Sequence, residues 1–231
     1  MLLNVLLQMS VQDQAISALD GKQEYSLPLW DLAVKGGWIM IPILILSVIA
    51  VYIFVERYYA IRKASQTDEN FMNRIKDYIH DGKIESALSL CRSTDSPIAR
   101  MIEKGIQRIG RPLNDINAAI ENVGRLEVFK LERGLPALAT AAGGAPMIGF
   151  LGTVTGMIRS FYDMTMAGNN VDVHVLSSGI YEALVTTVAG LVVGIIAYFA
   201  YNVLVSNVEK VVNDLEAYTI EFMDLLNEPV K

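Results

Sequence analysis

Cysteine is almost absent from this chain. Its one copy, Cys91, excludes an internal disulfide framework. Cys91 sits in a helical stretch, SALSLC, and reads as a small buried packing residue. Histidine is nearly as scarce. His80 and His174 are far apart, and no nucleophile–histidine–acid arrangement is visible, so nothing points to an enzyme. Excess positive charge is also missing: the net charge is −6, which argues against a nucleic-acid partner. The glycine-rich stretch Gly149–Gly156 has no following lysine, so it is no phosphate loop. Nothing in the sequence calls for a cofactor or a metal. The start, MLLNVLLQM, lacks the basic region and the small-residue cleavage site of a secretory signal. Leu2, Leu3, Val5, Leu6, Leu7 and Met9 fit either a short amphipathic helix on a membrane surface or a frayed terminus.

What the chain does have is long apolar runs. Hydrophobic residues make up 52% of its 231 positions, high for a soluble protein of this length. A bilayer-crossing helix needs about 20 consecutive apolar residues. Three segments qualify: residues 36–55, 135–162 and 176–205. Trp38 and Tyr52 lie near the ends of the first, with Tyr58 and Tyr59 just beyond, as an interfacial aromatic belt requires. Pro42 falls in its first turns, where a missing donor costs least. The fold class expected is an all-α membrane protein, with three transmembrane helices extended into a cytoplasmic helical bundle.

Lysine and arginine set the orientation. Fourteen of them, from Arg57 to Arg133, lie between the first and second spans, whereas residues 163–175 have none. The positive-inside rule then makes residues 56–134 and the C-terminal helix 206–231 cytoplasmic. Residues 1–35 and the 163–175 loop fall on the outer side. His80 and His174 are thereby placed on opposite sides of the membrane and cannot share a metal. Within the cytoplasmic domain, Asp81-Gly82 reads as a turn, Ser96-Pro97 as a helix start and Gly110-Arg111-Pro112 as a break. Ile102, Ile106, Ile109, Leu113, Ile116, Ile120 and Val123 alternate spacings of four and three, a helical stripe that must pack on something. Beyond the third span, Val208, Val211, Val212, Leu215, Tyr218 and Phe222 form an apolar face.

The residues that stand out are polar ones inside the spans. Glu182 is the one ionisable residue of the third run, and an acid there costs roughly 2.5–3.5 kcal/mol on insertion scales. It needs a partner, a wet cavity or an ion path. Thr153 and Thr187 lie equally deep if the spans end near Met164 and Leu176, about 16 Å in at 1.5 Å per residue. A polar layer at one depth suits a narrow hydrated path, although a membrane threonine commonly bonds its own helix's carbonyl. Glu182 and Thr186 share a helix face, while Thr187 lies about 140° round from Glu182. Arg159 is level with Glu182 and can pair with it; alternatively it can snorkel outward to Asp163. Gly152 and Gly156, and Gly190 and Gly194, are small-xxx-small pairs that let helices approach closely.

Four segments together resemble the ExbB/TolQ/MotA family of proton-channel subunits, and most closely its ExbB branch. They are KGGWIMIPILILSVIAVYIFVER (Lys35–Arg57), SPIARMIEKG (Ser96–Gly105), APMIGFLGTVTGM (Ala145–Met157) and GIYEALVTTVAG (Gly179–Gly190). They touch all three spans and the cytoplasmic domain. The resemblance implies a homopentamer in the bacterial inner membrane, around an ExbD-type one-span partner whose membrane aspartate takes up protons. It implies that the assembly drives a TonB-type protein. Thr153, Thr187 and Glu182 match the family's pore threonines and membrane glutamate. Ala197 stands where many relatives have a proline, and Arg159 where some have an uncharged polar residue. A TolQ-like subunit, a gliding or flagellar stator, a self-sufficient channel and a non-conducting scaffold are the competing readings.

Overall fold

Three helix boundaries in this protein sit at glycines of positive φ, Gly82, Gly110 and Gly134. The computed structural model describes residues 36–66, 70–166 and 173–227, without the side chains of 173–175. The N-terminal segment with its expected surface helix lies outside these residues, as does much of the 163–175 loop. The described residues, which belong to one unit beginning at Gly36, are helical throughout, with no strand among them. A tight turn at Gly36–Ile39 leads into α1, Met40–Ser65, with Pro42 in its first turn. Arg62 and Lys63 complement the dipole at the end of α1.

Four shorter helices follow: α2 (Phe71–His80), α3 (Ile84–Ser93), α4 (Pro97–Ile106) and α5 (Leu113–Glu132). Gly82 (φ 72°) makes the turn between α2 and α3, and Gly110 (φ 94°) the one between α4 and α5. The Ser96 side chain accepts a hydrogen bond from the Ala99 N–H at 3.2 Å, capping α4, and Pro97 occupies the first helical position. Gly134 (φ 90°) separates α5 from α6, Leu135–Met166. The last helix, α7, runs unbroken from Val173 to Asn227, about 80 Å at 1.5 Å per residue. It crosses the position of Ala197 without a proline, and Ala197 is buried.

α6 and α7 form an antiparallel pair, the most extensive among the described helices, and α1 packs on both. By length and composition, three helices can cross a membrane. Only 11% of the apolar window of α1 is buried within the chain, leaving Ile41, Leu44 and Val48 open. So much exposed apolar surface is stable against lipid, not water. The protein is an all-α membrane protein.

The extramembrane half is built differently. Phe71, Ile75, Ile102, Ile106, Ile120 and Phe222 are fully buried, so α2, α4, α5 and the far end of α7 share one core. The isoleucine stripe is not one helix face. Gly110 and Pro112 break it, so Ile102 and Ile106 on α4 meet Ile116 and Ile120 on α5 in that core. Ile109 and Leu113, at the break, are left partly open to solvent. On α7, Val208, Val211, Leu215 and Phe222 are buried as the apolar face predicts.

A charge network ties this core to α1. Glu127 is buried and accepts hydrogen bonds from Arg100 Nη2 at 2.7 Å and Lys130 Nζ at 2.6 Å. Arg100 Nη1 also bonds Asp95 at 2.9 Å, and Asp95 takes Lys63 of α1 at 2.7 Å. Arg57 of α1 donates to the Lys130 carbonyl at 3.0 Å. Burial alone pushes the Glu127 carboxyl up. The hydrogen bonds and charges of Arg100 and Lys130 outweigh that and hold it below the usual carboxylate range. Cys91 has no such partner: burial first, and then the Glu103 charge, push its thiol up to about 12, so it stays a thiol at neutral pH.

Candidate functional site

Small residues decide how closely the second and third spans approach. A Cβ added at Gly149 would fall 2.8 Å from the Thr186 carbonyl oxygen and 3.1 Å from Thr187 Cα. One added at Gly152 would strike the Thr186 side chain, and one at Gly156 would come 2.8 Å from Ala183 Cβ. On the other helix, Gly190 faces the Ala145 carbonyl and Gly149, while Gly194 leaves room for the ring of Pro146. Both small-xxx-small pairs are therefore packing surfaces, as lipid-embedded helices without a hydrophobic drive to associate require.

That close approach brings hydroxyls onto one backbone carbonyl. Thr187 Oγ1 donates across the interface to Gly149 O at 3.0 Å. Thr186, buried beside it, donates to Ala183 O at 2.7 Å and lies 3.3 Å from the same Gly149 oxygen. Thr153 is buried and donates to Phe150 O of its own helix at 2.6 Å. Since Thr187 is level with Gly149, it and Thr153 stand within about one helical turn of a common depth. Each hydroxyl has given its proton to a carbonyl and keeps its lone pairs as acceptors.

Glu182 faces elsewhere. It lines a groove of about 450 Å³ where the start of α1 meets α6 and α7, at the end of the spans distant from α2–α5. The groove takes Gly36, Trp38 and Ile39 from the turn ahead of α1, Thr155, Arg159, Ser160 and Asp163 from α6, and Ser178, Glu182 and Thr186 from α7. The structure thus brings together Glu182, Arg159 and Asp163, and leaves Thr153 and Thr187 out of that lining. Among the described residues, Arg159 closes an ion pair with neither carboxylate. Thr186, Thr155, Ser160, Ser178 and Trp38 share that lining. Of these, Thr186 had a signal in the sequence, four residues after Glu182 on the same face. Trp38 had one only as a belt residue, because its position beside Glu182 depends on how α1 leans on the other two spans.

The geometry supplies a polar three-helix junction holding two acids and one base, and a close, hydroxyl-bonded contact between two spans. Such parts suit movement of a small cation; no group of three candidate metal ligands occurs among the described residues.

Known proteins resemble this chain in sequence. An ExbB-like biopolymer transport protein of Synechocystis sp. is 29% identical over 180 residues, which cover 77% of this chain and 71% of that one. The Tol-Pal system protein TolQ of Pseudomonas aeruginosa is 28% identical over 218 residues, 87% of this chain and 94% of the relative. The biopolymer transport protein ExbB of Neisseria meningitidis is 25% identical over 205 residues, 82% and 91% of the two chains. The family model for MotA/TolQ/ExbB proton channels matches residues 93–217, more than half the chain and all of the second and third spans up to their extramembrane continuation. The chain belongs to the MotA/TolQ/ExbB proton channel family.

Proposed function

We propose that this protein is the ExbB-like subunit of an inner-membrane proton-driven motor. With an ExbD-type one-span partner it energises a TonB-type protein, and so transport across the outer membrane. The alternative supported by relatives is the TolQ role, since a TolQ matches over nearly its whole length. In this reading the subunits form a homopentamer. Residues 1–35 and 163–175 lie outside, and α2–α5 with the end of α7 lie in the cytoplasm. Thr153 and Thr187 line the proton path, Glu182 is the acid beside it, and the partner supplies the titrating aspartate.

The observation that carries the reading is the Thr187–Gly149 contact. A threonine of the third span crosses to a carbonyl of the second beside a glycine-lined approach, at a depth where the chain is otherwise apolar. The arrangement keeps hydroxyl oxygens in a narrow, otherwise apolar contact, where they can receive water or a proton. The test is proton flux in proteoliposomes holding this protein and a one-span partner with a membrane aspartate. Flux should require both proteins and fall in Thr153→Val and Thr187→Val, with assembly intact. Flux through this protein alone would make it a self-sufficient channel. Energised function unchanged by Glu182→Gln and by both valine variants would make it a scaffold. Complementation of strains lacking ExbB or TolQ separates the two roles.

A further inference from the structure

Gly37 combines two features that no other described glycine shares. Its φ is +65°, in the left-handed region that L side chains rarely adopt. The place its Cβ would take is also already occupied by the carboxylate of Glu182: Oε1 overlaps it, and Cδ is 3.6 Å away. The loop glycines differ. At Gly82 (φ +72°) and Gly110 (φ +94°) nothing lies within 4 Å of the point where a Cβ would stand, so they serve backbone conformation alone. Gly37 gives up its side-chain space to an acid from another span.

We propose that Gly37 is a positioning residue for Glu182. The missing side chain lets the carboxylate lie against the turn ahead of α1, over the groove that Arg159 and Asp163 also line. With that space filled, the carboxylate, already exposed within the chain, leaves its place against the turn and is carried further toward lipid, where it is costly. The obstructed atom is the tip of a flexible side chain. A methyl at position 37 therefore moves the carboxylate and does not force the helices apart. This inference rests on Glu182 as a proton-path acid and extends that role to a residue of the first span.

The experiment uses the full chain with its one-span partner in isolated membranes. Glu182 is labelled with dicyclohexylcarbodiimide, an apolar reagent that reaches acids from the bilayer, and the labelling rate is read by mass spectrometry beside energised function. Gly82→Ala is the control for backbone strain, since it carries the same left-handed conformation in open space. In Gly37→Ala, labelling should rise severalfold above the control and function should fall by up to about a hundredfold, the scale of a misplaced reacting group. Adding Glu182→Asp to Gly37→Ala shortens the acid by one methylene and should return labelling toward the wild-type rate. Gly37→Asn, which tolerates a left-handed backbone better, replaces alanine if that variant does not insert. A labelling rate no higher than in Gly82→Ala overturns the proposal, whatever function does. Raised labelling with unchanged function keeps the positioning and removes Glu182 from the proton path instead.

Discussion

The two halves of this molecule hold helices together by opposite means. In the extramembrane half, large apolar side chains are buried and charges are paired. Phe222 packs fully buried against the face of Gly105, and Arg100 and Lys130 close on a buried Glu127. In the membrane half the large apolar side chains point outward, as Phe150, Leu191 and Ile195 do, and the contacts are made by Gly149, Gly152, Ala183 and Gly190. Water drives the first arrangement, because burying apolar surface releases it from solvent. Lipid offers no such gain, so the second depends on close backbone approach and a few hydroxyl bonds. The two meet along α7, one helix whose buried face changes from Gly190 and Gly194 to Val208, Leu215 and Phe222.

This contrast can be broken by substitution. Phe222→Ala should have the largest effect, a loss of about 3–5 kcal/mol in the extramembrane half. Denaturant unfolding in detergent, followed by a probe in α4 or α5, would measure it. A cost below that of a surface change would mean that lipid-embedded contacts hold this half as well.

Arg100→Ala should come next, at about 3 kcal/mol, because it strands a buried carboxylate on a single remaining partner. Glu127→Gln should cost less, as no charge is left buried. The reverse order would show that the network stabilises through Arg100's packing alone.

A smaller effect should appear with pH. The folded Glu127 carboxyl sits below its unfolded value, so its contribution is fully present above the unfolded pKa. That contribution is lost as pH falls through the folded one. Acidification should therefore weaken the extramembrane half of the wild-type protein, and Glu127→Gln should flatten that dependence. Equal slopes in both proteins would place the acid sensitivity elsewhere.

Thr187→Val should have the smallest effect on stability, about 0.6 kcal/mol, the usual worth of a hydroxyl bond between membrane helices. Its effect on proton flux should be far larger than that. A stability loss as great as that of Phe222→Ala would erase the distinction between the halves and leave Thr187 a structural clasp.

Much of this was written in the chain. The three runs of apolar residues needed only length and hydropathy. Gly82, Ser96-Pro97 and Gly110-Pro112 marked the breaks between the extramembrane helices because left-handed backbone and a missing N–H act locally. Glu182, Thr153 and Thr187 drew attention simply by being polar where polarity is costly. What surrounds each of them was a tertiary matter. Helical periodicity tells which residues share a face, not what that face meets. Rotation and register came from contacts between glycines and alanines on different spans. Those contacts turned Thr187 toward Gly149, left Arg159 near two acids without closing on either, and folded the isoleucine stripe back on itself. They also set the carboxylate of Glu182 against Gly37, a neighbour that no spacing in the sequence could name.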